Sequence, residues 1–208
     1  MIMEDRERRE NIPVLTSILV VVNVLAFAFT EVSGSSLDAE HMIRMGAMYE
    51  PVFAEGHEYY RIITSFFLHF GLVHLVNNMI SLLVLGYSLE QAIGKGWFGF
   101  IYMVSGVFSG LTSLWYHLHT GQEVVSCGAS GAIFGLMGAL MVLLVVHGGS
   151  DWRRRLPRFA LYIALSLYSG MQDTGIDNAA HIGGFVGGLI LCGIMCIVKR
   201  KGQNGGRA

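Results

Sequence analysis

Ser130 stands in the stretch Gly128-Ala129-Ser130-Gly131, at the start of an apolar run that continues to Val146. A hydroxyl is a weak nucleophile until a base takes its proton, and imidazole has the ordinary pKa suited to that task near neutrality. His74 and His181 also stand a few residues inside the starts of apolar runs, and Asn78 follows His74 by four, on the same helix face. These are the parts of a serine hydrolase. Ser130 would be the nucleophile and His181 the general base. The Ser130 backbone N–H, the His74 imidazole and the Asn78 amide would supply the oxyanion hole. Singly, each has a plainer reading: a serine caps a helix, a histidine bonds two spans together, a His–Asn pair is a structural hydrogen bond. Asp177 precedes His181 by one turn, at a loop boundary where it is expected to be solvated, so the expected unit is a Ser–His dyad without a third member.

The positioning elements must be membrane helices. Of 208 residues, 53% are hydrophobic and only 14% charged, and several apolar runs approach the ~20 residues that cross a bilayer. The pattern predicts an all-α membrane protein with six spans: Pro13–Thr30, Leu72–Ala92, Trp97–His117, Gly128–Val146, a short Phe159–Ser169, and Asn178–Val198. A charged tail (1–12) would precede this 13–198 domain, and a basic tail (199–208) would follow it. The first run is longer than a signal-peptide core and lacks a small-residue cleavage site, so it reads as a retained span. Residues 31–70 form a long connection whose apolar residues need burial against the bundle or in the interface. Gly148 to Arg158 reads as a basic loop.

With both termini on the cytoplasmic side, twelve of the fourteen lysines and arginines fall on that side, Arg44 and Arg61 being the exceptions. Spans two, four and six then descend from the outer face, which places His74, Ser130 and His181 three to four residues in, roughly 5–6 Å below the helix starts. Gly128, Gly131, Gly135 and Gly138 form a ridge on span four. Gly183/Gly187 and Gly184/Gly188 form small-residue pairs on span six, and such ridges let helices approach closely. Cys127, Cys192 and Cys196 are too few and wrongly spaced for a disulfide framework or a zinc site. No basic stripe suggests nucleic acid, and no cofactor or metal is expected.

The chain resembles the rhomboid intramembrane serine proteases in their six-span bacterial form. The residues that carry this are Glu58-Tyr59-Tyr60-Arg61, His69 to His74 with Asn78, Glu90 with Gly94, Gly128-Ala129-Ser130-Gly131, and Ala180-His181 with Gly184 and Gly188. The resemblance implies the roles given above for Ser130, His181, His74 and Asn78. It also implies a partly embedded loop after span one and a cap at Met171–Asp177 over a water-filled cavity. Arg61 and Glu90 become structural, Glu90 bonding between helices and helping to hold that loop. Two positions depart from the family's habit: Tyr60 replaces a common tryptophan, and Phe134 a tyrosine that stacks on the catalytic histidine. A phenyl ring still stacks.

The expected function is cleavage of single-span membrane proteins within or beside their transmembrane segments, near the outer face of a bacterial plasma membrane. One alternative is a catalytically silent rhomboid-like protein that binds membrane clients. Another is a transporter or metal-conducting bundle using His69, His74 and His181, against which stands the lack of acidic residues deep in any span.

Overall fold

The computed structural model describes residues 13–147, 152–172 and 176–205. Five helices are long and apolar enough to cross a membrane: α1 (Val14–Ser33), α5 (Gly71–Ile93), α6 (Lys95–Thr120), α7 (Ser130–His147), and α9 (Asn178–Gly205) through Arg200. α8 (Trp152–Gln172) has the length of a span, but Arg153, Arg154, Arg155 and Arg158 fill its first turns. It starts seven residues before the expected span, so most of the anticipated basic loop is helical and the chain continues through Pro157 without leaving the helix. α9 likewise runs past Val198 to Gly205, extending into the expected tail. Residues 1–12 lie outside the described residues, as do 148–151 of the basic loop and 173–175 of the expected cap.

The tightest packing joins α7, α9 and α6, and it is built from small residues. A Cβ on Gly184 would overlap the carbonyl of Gly131, and one on Gly188 the carbonyl of Gly135. On the adjoining face of α9, Gly183 and Gly187 accommodate Thr112 and Phe108 of α6. The same α7 ridge meets α6, where Gly131 and Gly135 face Ser109 and Ser105. Ser105 turns its hydroxyl back to the Ile101 carbonyl at 2.6 Å, which satisfies it without widening the contact. The two glycine pairs of α9 thus serve two different neighbours.

α1 packs on α5. Its first turn has amides without intrahelical partners, and Glu90 near the end of α5 accepts from two of them, Leu15 N at 2.9 Å and Thr16 N at 2.8 Å, and from the Thr16 hydroxyl at 2.8 Å. Glu90 does bond between helices, but at the end of the bundle opposite the long connection. It holds the start of α1, not the loop.

The connection after α1 is ordered: α2 (Ala39–Met45), β1 (Met48–Tyr49), α3 (Glu50–Ala54), α4 (Arg61–Thr64) and a 3-10 turn (Ser65–Phe67). Met42, Ala47 and Leu68 form a small core of its own. Arg61 is buried and ties the loop together: it donates to the carbonyls of Ile43 (2.6 Å) and Ala47 (2.8 Å) and pairs with Glu58 at 2.5 Å. β1 pairs antiparallel with β2 (Val125–Ser126), Met48 opposite Ser126 and Tyr49 opposite Val125. This two-residue ladder is a small departure from the all-α expectation.

Candidate active site

The connection's role becomes clear at residues 125–129, which lead into α7. β2 is held by β1. Gly128 N donates to the Ser65 carbonyl at 2.9 Å, and Ala129 N donates to His69 Nε2 at 3.4 Å. Burial, with a smaller contribution from the neighbouring His74, pushes the His69 imidazole down to about 3 from its ordinary value. His69 is therefore neutral near pH 7 and has a nitrogen lone pair to accept that bond. Gly128 has φ +133°, a conformation open to glycine, and a Cβ there would come within 2.9 Å of the His74 ring. The segment before Ser130 is thus fixed at three successive points by the loop after α1.

Ser130 is the first residue of α7, two residues nearer the helix start than the expected boundary at Gly128 implied. Its neighbouring amides belong to the first turn, which has donors to spare. The Ser130 Oγ lies 2.9 Å from His181 Nε2, so with the ring proton on Nδ1 the hydroxyl donates to Nε2. His181 is the fourth residue of α9 and buried. Phe134, one turn beyond Ser130, stacks on its imidazole with centroids 4.2 Å apart and 9° between planes. The glycine seam explains the meeting: only backbones in contact let so short a side chain as serine reach across two helices.

Ser130, His181, His74 and Asn78 all line one cavity of about 240 Å³, bounded on another side by Val124–Ser126 of the α6–α7 connection. At roughly 30 Å³ per water, it holds several. Asn78 is buried and donates one amide N–H to the His74 carbonyl at 3.1 Å. A primary amide has a second N–H. The His74 ring lies edge-on to His69, 5.2 Å between centroids. The structure therefore places Ser130, His181, His74 and Asn78 around one cavity.

Asp177 is not solvated. Its side chain is only 10% exposed: Oδ1 caps α9 by accepting from Ala180 N at 2.9 Å, and Oδ2 accepts from the Ser113 hydroxyl, with His117 Nε2 at 3.6 Å. It was misplaced because its burial depends on α6 passing the start of α9, which the Gly183/Gly187 contact brings about. His69 was the other residue undervalued: its spacing from His74 was visible, its bond to Ala129 was not. Among the described residues no group of three His, Cys, Asp or Glu could hold a metal ion, and the three cysteines are unpaired.

Residues 56–198 match the family model of the rhomboid domain. The chain belongs to the rhomboid family. Similar proteins include the rhomboid protease GluP of Bacillus subtilis, 30% identical over 90% of this chain and 36% of its own length. RHOMBOID-like protein 1 of Arabidopsis thaliana is 35% identical over 81% of this chain and 42% of its own length. Rhomboid-type serine protease 2 of Emericella nidulans is 35% identical over 68% of this chain and 27% of its own length. The chain thus spans less than half of each of these relatives. Rhomboid membership and five apolar helices of spanning length make it an integral membrane protein.

Proposed function

We propose that this rhomboid is an intramembrane serine endopeptidase using a Ser130–His181 dyad on single-span membrane proteins. The observation that carries the proposal is the 2.9 Å contact between the Ser130 hydroxyl and His181 Nε2 in a cavity with polar walls. The names of the relatives from B. subtilis and E. nidulans support it.

In this reading, His181 Nε2 removes the Ser130 proton as Oγ attacks the scissile carbonyl. The oxyanion is met by the Ser130 backbone N–H, the remaining Asn78 N–H and the His74 imidazole. The imidazolium then protonates the leaving amine. Water from the cavity hydrolyses the acyl-enzyme, with His181 again the base. Phe134 fixes the ring plane and offers its π face to the imidazolium, an attraction worth about 0.5–2 kcal/mol. A peptide bond locked in a helix is hidden from the nucleophile, so substrates with easily unwound segments and small residues at the cleavage point fit best.

α8 is the fifth of six spans of the 13–198 domain in this proposal. Its arginine-rich start, with Lys95 and the end of α9, then marks the cytoplasmic side, where both termini lie. That sets the site near the outer face of a bacterial plasma membrane, with the loop after α1 partly embedded and the 171–177 connection as a cap.

The test is labelling with a serine-reactive phosphonate probe in membranes. Wild type should label, and Ser130→Ala and His181→Ala should not. Labelling that survives Ser130→Ala means another nucleophile. A wild-type chain that never labels favours the client-binding alternative.

A further inference from the structure

The end of the bundle away from Ser130 holds a second and larger cavity, about 660 Å³, between the last turns of α5, α7 and the far part of α9. It lies beside the part of α9 that runs on to Gly205, next to the last described turn of α7, which reaches His147. Its walls are apolar, among them Ile93, Val142, Leu143 and Met195. Its rim is cationic: Lys199 and Arg200 line it, and among the described residues no carboxylate does. Lys199 reaches across to the Ile93 carbonyl at 3.3 Å, which uses one of its three donors. Gly193 lies in the wall, and a Cβ added there meets nothing within 4 Å. That openness contrasts with the other helix-facing glycines of α9, where an added Cβ collides with a neighbouring helix. Gly193 therefore faces space that none of the described residues fills.

We infer that this cavity is a binding site for one anionic phospholipid, its acyl chain lying over Gly193 between α7 and α9 and its phosphate held by Lys199 and Arg200. An apolar slot with two cations and no carboxylate at its mouth matches an amphiphile with a negative head. Basic pockets between membrane helices have that preference as a general property, each cation contributing favourably. A zwitterionic lipid brings an ammonium into the same rim and meets only positive charge. The volume falls in the range of ligand pockets, enough to seat part of an acyl chain. The occupant would fill the space between the two helices that carry Ser130 and His181.

The experiment is native mass spectrometry of the full chain, stripped of lipid in detergent and titrated with phosphatidylglycerol or phosphatidylcholine of matched acyl chains. Wild type should retain one phosphatidylglycerol and no phosphatidylcholine under the same activation. The double variant Lys199→Gln/Arg200→Gln should bind it roughly 10- to 30-fold more weakly. Gly193→Leu keeps every charge and, with open space at its Cβ and a better helix former, should fold as well as wild type. It should lose the retained lipid because its side chain occupies the slot. Equal retention of the two lipids by wild type, no retained lipid at all, or Gly193→Leu binding as well as wild type would each overturn the assignment. Because none of these readouts involves hydrolysis, the result stands apart from the outcome of the probe experiment.

Discussion

The α6–α7–α9 seam and α8 are built on opposite principles. In the seam, glycines and serines bring backbones into contact, and the helices are locked by shape. α8 touches α7 and α9 sparingly, through Ile163 and partly buried Phe159 and Leu167. Leu161, Tyr162, Leu165 and Tyr168 all lie more than half or close to half exposed. Asn178 Nδ2 donates to the Leu167 carbonyl at 3.0 Å, tying α8 to the start of α9. Close backbone packing is thus concentrated where Ser130 and His181 meet, and α8 rests against that seam with less of its surface buried.

The contrast is broken most severely by Gly184→Val. Its side chain would be driven into the Gly131 carbonyl, overpacking that costs at least about 1–3 kcal/mol with no flexible neighbour to yield. A lowered melting temperature and lost phosphonate labelling are expected together. Next is Asn78→Ala, which leaves the seam intact and removes a proposed oxyanion donor. Turnover of a model transmembrane substrate should fall about 10²–10³-fold at unchanged thermal stability, and unchanged turnover would strip Asn78 of its role. Phe134→Leu keeps an apolar filler but loses the ring on His181. Its turnover should fall about 2- to 30-fold, with Phe134→Tyr recovering it. Leu161→Ala on α8 should change stability by no more than about 0.5 kcal/mol, as for other exposed positions. A loss comparable to that of Gly184→Val would erase the distinction between the two regions.

The seam was legible because glycine at three- and four-residue intervals on two apolar runs has one structural reading when both occur in lipid. The Ser130–His181 pairing was legible for the same reason, since depth and ridge together leave the two side chains few places to point. The Phe134 stack was legible only through the resemblance, which implies an aromatic ring on the histidine from that position. What escaped the sequence were contacts set by a third element. Asp177 is buried because α6 passes it, His69 finds Ala129 because the connection folds back, and Glu90 meets α1 instead of the loop because of how the first two spans align. β1 and β2, at two residues each, are too short to show a period. The start of α8 and the end of α9 extend beyond their apolar runs, because arginine and lysine are good helix formers whose hydropathy gives no sign of it.

The contact between Gly131 and Gly184 also orders events during biosynthesis. α7 emerges from the ribosome carrying its serine well before α9 brings the imidazole. While the 51 residues from Ser130 to His181 are added, the nascent chain carries the hydroxyl without its imidazole partner, and the pair forms only when α9 docks.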